Sequence, residues 1–230
     1  MKILLISDTE ERFLWEDWTK ATADKLADVG LVLSAGDLNH SYLEFIVTML
    51  NVPLVYVRGN HDGHYDGEPP EGCEDADGKI IEVKCGKTGS EQKIRILGLG
   101  GSMRYKANAS DMYTEDEMRM RVKSAERVIR KKRLTGKIRN LFSNDSSERT
   151  MRDFDILLTH APCRGYGDME DLPHRGFECF NYLLNKYSPQ LHCYGHVHRE
   201  YGMIRRCIEH PSGTQLINGS GYQIIDFGTP

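Results

Sequence analysis

Residues 53–62 read Pro-Leu-Val-Tyr-Val-Arg-Gly-Asn-His-Asp (PLVYVRGNHD). Pro53 to Val57 is short, apolar and rich in β-branched residues, the pattern of a strand covered on both faces. At Gly59 it breaks into three polar side chains, Asn60, His61 and Asp62. Two similar units precede it. Ile3 to Ile6 ends in Ser7-Asp8-Thr9-Glu10, and Leu31 to Ala35 ends in Gly36-Asp37. The segments between them predict helices. One runs from Glu16 to Ala27, with Trp15, Trp18, Ala21 and Leu26 as inward positions. The other runs from Tyr42 to Leu50 and carries Leu43, Phe45, Ile46, Met49 and Leu50. This β-α-β-α-β order implies a parallel sheet with right-handed crossovers.

The rhythm then changes. Gly63 to Gly78 reads as a loop, and Lys79–Val83 with Lys93–Leu99 as a hairpin. Thr114 and Glu117 have the spacing of a capping box. A basic helix follows through Arg119, Arg121, Lys123, Arg127, Arg130, Lys131, Lys132 and Arg133. Residues 104–150 are expected to form a helical, basic insertion, too thin in apolar residues for a core of its own. Asn144 to Thr150 is expected to be mobile. Strand patterns resume at Asp155–His160, Gln190–Tyr194, Gly202–Ile208, Gln215–Asn218 and Tyr222–Phe227, with a helix from Gly176 to Lys186. The expectation is a single domain over residues 1–230.

Composition narrows the function classes. The chain has 230 residues, 39% hydrophobic, enough for one sizeable core. A net charge of −4 argues against a nucleic-acid partner. No run approaches 18 apolar residues, so no membrane association is expected, and the first apolar run is too short for a secretory signal. Six cysteines without a C-x-x-C pair read as reduced thiols. The expected location is the cytoplasm.

Five strands end in groups that bind metals: Asp8 with Glu10, Asp37, Asn60 with His61, His160, and His196 with His198. In open α/β sheets, sites gather beyond the carboxyl ends of strands. Carboxylate, imidazole and amide oxygen together suit Mn²⁺, Fe or Zn²⁺ better than Ca²⁺. So many ligands can hold two ions about 3.5–4 Å apart, the arrangement used for in-line phosphoryl displacement.

In this order, Asp8-x-Glu10, Gly36-Asp37, Gly59-Asn60-His61-Asp62, Thr159-His160 and Gly195-His196-Val197-His198, the chain resembles the calcineurin-like metallophosphoesterases. The resemblance covers nearly its whole length. It implies an α/β fold, a four-layer α/β/β/α sandwich of two mixed sheets. It implies a divalent-metal pair as cofactor, Mn²⁺ first, with Fe or Zn²⁺ as alternatives. Asp37 would bridge the ions, Asp8 and His198 would serve the first, and Asn60, His160 and His196 the second. His61 would be the catalytic acid and help hold the phosphate, while a hydroxide between the ions attacks phosphorus.

The chain departs from the family pattern twice. Glu10 stands where the first motif usually has His. It is a direct ligand, a partner acting through water, or an exposed loop residue beside Glu11; or the first metal site is lost. A carboxylate there favours a harder metal such as Mn²⁺. His40 stands where phosphoprotein phosphatases of the family carry the Asp that orients the catalytic His, which argues against that activity. The loop after His160 resembles a phosphodiesterase-like subset of the family. Arg164, Asp168 and His174, with His64 and Tyr65 after the third motif, are candidate substrate-binding residues beside Asn60 and His61. Asp168 and Asp171 are equally readable as turn and cap residues. Phe13, Trp15 and Trp18 read as core, and the basic run as a solvated face, a lid or a partner surface.

The expected function is two-metal-dependent hydrolysis of a small phosphoester, by a phosphodiesterase or a broad phosphomonoesterase/phosphodiesterase. The alternatives are a binding scaffold with a degenerate site and a DNA-processing nuclease. A homo-oligomer is left open.

Overall fold

The computed structural model describes residues 1–86, 91–142, 152–198, 201–202 and 205–228. In chain order the elements are β1 (Lys2–Ser7), α1 (Lys20–Lys25), β2 (Val29–Ser34), α2 (His40–Leu50), β3 (Leu54–Tyr56), β4 (Glu74–Asp75), β5 (Ile80–Cys85), β6 (Gln92–Leu99), β7 (Ser102–Met103), β8 (Met112–Tyr113), α3 (Glu115–Phe142), β9 (Ile156–Thr159), α4 (Glu178–Tyr187), β10 (Leu191–Tyr194), β11 (Cys207–Glu209), β12 (Gln215–Asn218) and β13 (Gly221–Asp226). One sheet has the order β13-β1-β2-β3-β4 and a second the order β11-β12-β10-β9-β6-β5. Both are mixed. β13 joins β1 antiparallel to an otherwise parallel set, and β11 and β5 do the same at the edges of the second sheet.

Strand alternation builds the layers. On β1, Ile3 and Leu5 face the other sheet, while Leu4 and Ile6 face α2. On β9, Ile156 and Leu158 point inward and Leu157 toward α4. With both faces covered, these strands carry continuous apolar runs, as read from the sequence. The result is α/β/β/α, as the family resemblance implied. Among the described residues, no helix is long and apolar enough to cross a membrane.

Several elements differ from the sequence reading. The helix expected over Glu16–Ala27 is only Lys20–Lys25, capped by Thr19, whose Oγ1 accepts from Thr22 N at 3.3 Å. Ahead of it lies a 3-10 turn at Arg12–Leu14. Trp15 and Trp18 pack there as core aromatics, their rings 5.5–5.7 Å from those of Tyr42 and Phe45. Thr22, not Ala21, is the buried position. α2 starts at His40, capped by Asn39, and buries Tyr42 while Met49 is exposed. The Gly63–Gly78 loop contains β4, paired to β3. Among the described residues, the strand expected at 202–208 is met by β11, which starts at Cys207 and runs on to Glu209. Asn144–Thr150 lies outside the described residues. All six cysteines are free thiols.

The capping box holds at α3. Thr114 N donates to Glu117 Oε2 at 2.7 Å and Glu117 N to Thr114 Oγ1 at 3.3 Å. α3 does not need its own core. Met118, Val122, Ala125 and Ile129 form one helical stripe, buried against Phe180, Leu183 and Leu184 of α4. Part of the basic run is tied down. Arg121 Nη2 meets both Asp77 oxygens at 2.5 and 2.6 Å, and Arg133 pairs with Asp153.

His192, fully buried on β10, bonds Thr159 Oγ1 through Nε2 at 2.8 Å, while the Thr159 hydroxyl donates to Ala161 O. Its Nδ1 has no partner. Burial, with His210 nearby, pushes its pKa down from 6.5 to about 3. Below pH 6.5 the unfolded chain therefore binds a proton that the folded chain refuses. Urea midpoints should fall as pH drops from 6.5 toward 3, this residue contributing up to about 1.4 kcal/mol per pH unit. His192→Gln, which keeps the donor and cannot titrate, should flatten that slope.

Candidate metal centre

The carboxyl ends of β1, β2 and β3 abut those of β9 and β10. Asp8, Asp37 and Asn60 come from the first sheet, and His160, His196 and His198 from the second. Three of these residues, Asp8, Asp37 and His196, have positive φ of 63°, 57° and 68°. Such backbone costs about 1–3 kcal/mol each in non-glycine residues and concentrates at functional sites. Close approach makes glycine necessary beside them. A Cβ at Gly59 would lie 2.0 Å from Asp37 Oδ1, and one at Gly195 would lie 1.9 Å from Ser7 Oγ.

His160 organises the interior of the site. Its Nδ1–H donates to Ala35 O at 2.7 Å, which points Nε2 into the cluster. There Nε2 lies 3.2 Å from Asn60 Oδ1, 3.0 Å from His196 Nδ1 and 3.4 Å from Asp37 Oδ2. His196 is pinned likewise, its Nε2–H donating to Pro173 O at 2.8 Å. Each imidazole thus has one nitrogen fixed by a backbone carbonyl and the other aimed inward, the usual support for a metal-binding His. The inward atoms are all lone-pair donors. Asp37, His160 and His196 form a cluster whose ligand atoms lie within 4.8 Å of one another. This donor set fits a divalent cation.

The electrostatics agree. Burial alone would push His160 down, but the Asp37 carboxylate beside it and the Asp8 charge raise it to about 9. Burial works to raise Asp37, and His160 overrides it, holding that carboxyl well below the usual range. His196 is driven down to about 3 by burial and by the His160 charge. The two carboxylates thus favour positive charge at the centre of the cluster.

The other expected ligands are less tightly gathered. Both Asp8 oxygens accept from His196 N, at 2.9 and 3.0 Å, and Oδ1 lies 3.9 Å from His198 Nε2. Glu10 Oε1 accepts from Asn39 N at 3.0 Å, tying the end of β1 to the cap of α2. His61 N donates to Asp37 Oδ1 at 2.8 Å, and its backbone (φ −109°, ψ 1°) lies in the bridge region common at active sites. The His61 side chain is exposed. His40 Nε2 lies 3.7 Å from Glu68, and its ring 6.0 Å from that of His64, which is exposed. Tyr65 is core instead of pocket, its hydroxyl donating to Leu38 O at 2.6 Å.

The loop after His160 is internally bonded. Arg164 pairs with Asp168 at 2.7 Å and with Glu170 at 2.8 Å, and Asp168 also accepts from Gly165 N and Gly176 N. This holds Pro173 O against His196. His174, bonded to Asp171 at 2.7 Å, has its ring 5.3 Å from that of His196.

Sequence reasoning assigned no role to Asp62. It is 1% exposed, and its Oδ2 accepts from both Asp37 N and Gly59 N at 2.8 Å. It therefore sets the backbone on which Asp37 and Asn60 are carried. Its place at the end of Gly-Asn-His-Asp was the available signal. Ala35 O and Pro173 O carried no signal, because a backbone carbonyl has no residue identity.

A family model described as calcineurin-like phosphoesterase matches residues 1–200, and the chain belongs to that family, whose members bind divalent metals. The UPF0046 protein T07D4.2 of Caenorhabditis elegans is 40% identical over 50 residues, 21% of this chain and 13% of that protein. The match thus spans about an eighth of that relative. A crystal structure of TT1561 of Thermus thermophilus superposes with a TM-score of 0.53 at 14% identity, covering 96% of this chain and 89% of that one. Another crystal structure reaches 0.60 at 15% identity, covering 98% and 94%. At these identities the structures establish likeness of fold alone.

Asp62→Ala should remove about 2 kcal/mol or more of stability, because two buried N–H groups lose their acceptor. It should also weaken Mn²⁺ binding about 10–100-fold, as loss of an outer support does. Asp62→Asn keeps an acceptor oxygen and should be much milder. Urea unfolding and calorimetric metal titration read the two effects.

Proposed function

We propose that the chain is a two-metal-dependent phosphoester hydrolase, a phosphodiesterase or a broad phosphomonoesterase/phosphodiesterase acting on a small phosphoester. The observation that carries this is the convergence of the lone-pair atoms Asp37 Oδ2, Asn60 Oδ1 and His196 Nδ1 on His160 Nε2. Those four residues would hold one ion, and Asp8, Asp37 and His198, with or without Glu10, the other. Divalent cations bound there supply Lewis-acid activation of water and neutralise phosphoryl charge. Asp37 would serve both ions, and its Oδ1 orients His61 by accepting from His61 N. His61, exposed at the mouth of the site, would hold the proton that the leaving oxygen takes and would contact the phosphoryl group. The fixed imidazoles preserve this geometry, so little reorganisation is needed when charge develops.

One observation favours a second reading, a single ion per chain. Glu10 is engaged by Asn39 N, and His198 lies 3.9 Å from Asp8, so the first group is looser than the second. Metal analysis separates these readings: two Mn²⁺ per chain are expected, and one would support the alternative.

Purified chain with Mn²⁺ should hydrolyse bis-p-nitrophenyl phosphate, lose activity in EDTA and regain it with added Mn²⁺. His160→Ala should abolish turnover. No turnover from folded, metal-loaded chain with any phosphoester would overturn the proposal. Glu10→His and Glu10→Ala, compared for metal content, test the first site directly. Equal metal content in both variants and the wild type would show that Glu10 is not a ligand.

A further inference from the structure

The loop between β7 and β8 has no part in the site so far. Its neck is closed by Ser102 N to Asp111 O and Arg104 N to Tyr113 O, both 3.0 Å. Arg104 Nη2 adds bonds to Met112 O at 3.1 Å and Glu117 Oε2 at 2.9 Å. Asn108 and Asp111 take positive φ of 57° and 53°, so the loop adopts a specific, costly conformation. It leans on both ends of the His61 segment. Tyr105 OH lies 3.5 Å from Asn60 Nδ2, and a Cβ on Gly63 would come within 2.9 Å of Ser110 Oγ. Exposed Lys106 sits with Nζ 5.3 Å from the centre of the Tyr105 ring, and no carboxylate pairs with it among the described residues.

Asn60 can serve the cluster only with its oxygen inward. Its Nδ2 then faces outward, where it meets the Tyr105 hydroxyl. A hydroxyl that accepts from Asn60 retains its own proton for an acceptor on the open side. Lys106 adds an exposed positive charge over the ring of the same Tyr105. We propose that Tyr105 and Lys106 form an anion clamp at the mouth of the centre. Tyr105 holds the Asn60 amide in register and donates to a phosphoryl oxygen. Lys106 favours phosphoesters that carry a second negative charge over singly charged diesters. The preference rests on the phosphoesterase reading above, whereas anion binding by the pair does not require turnover.

The test compares wild type, Tyr105→Phe, Lys106→Gln and Lys106→Arg, all Mn²⁺-loaded. The substrates are p-nitrophenyl phosphate, a dianion, and bis-p-nitrophenyl phosphate, a monoanion. Calorimetric binding of inorganic phosphate is the second readout. Tyr105→Phe should lower kcat on both esters about tenfold, the scale of one hydrogen bond to a charged group. Lys106→Gln should raise KM for the dianion about three- to fivefold, the scale of an exposed ion pair, leave the diester little changed and weaken phosphate binding in proportion. Lys106→Arg should restore both. A role confined to loop stability would move urea midpoints without moving the ratio of the two KM values, and would overturn the clamp. So would phosphate affinity that is absent, or identical in wild type and all variants. A chain that turns over neither ester but binds phosphate in a Lys106-dependent way overturns the hydrolase reading and leaves the clamp standing.

Discussion

Lone pairs from two sheets converge on one point, and that convergence sets the demands on the rest of the molecule. Asp37, Asn60, His160 and His196 present acceptors to one another at hydrogen-bond distance, and His160 Nε2 stands at their centre. Acceptors packed together without water are unstable unless a cation or a proton sits among them. Asp37 and Asp8 raise the affinity of His160 for positive charge. The same requirement makes the cluster a fitting host for a divalent ion.

Holding such a cluster takes structure that does not itself bind anything. Asp8, Asp37 and His196 are kept in left-handed backbone, and the surrounding glycines leave room for their side chains. Asp62 gathers two N–H groups, while Ala35 O and Pro173 O fix the tautomers and orientations of the imidazoles. The four-layer sandwich makes the backbone strain sustainable, because strands buried on both faces cannot relax without exposing core. α3 and α4 cover the second sheet through one apolar stripe, and α1 and α2 with the Trp15 and Trp18 aromatics cover the first.

Much of this was legible from residues 1–62 and 155–198. Strands buried on both faces announce themselves as unbroken apolar runs, and ligand residues at five strand ends are a signal that no single histidine would carry. Thr114 and Glu117 marked the start of α3 correctly because a capping box is local chemistry. Trp15, Trp18 and Ala21 overstated the first helix because their periodicity resembles one. The inward packing of Trp15 and Trp18 is set by Tyr42 and Phe45, distant in sequence, and Ala21 is exposed. Arg164 and Asp168, open to reading as pocket residues, are bonded to each other, a pairing that sequence distance alone does not reveal.

By itself, the sequence determined the β-α-β order of the first sheet, the order of the strand ends and the kinds of ligand each one carries, while the four-layer arrangement was implied by family resemblance. The first three follow from periodicity and side-chain chemistry, which are properties of short segments. Only the tertiary structure decided which ligand atoms meet, that Glu10 is turned to Asn39 N, that Asp62 supports Asp37, and that the β7–β8 loop reaches Asn60. Those outcomes depend on how two sheets register against each other and on carbonyls that carry no residue identity. The side chains were visible one at a time in the sequence, but their convergence required the two sheets to be packed.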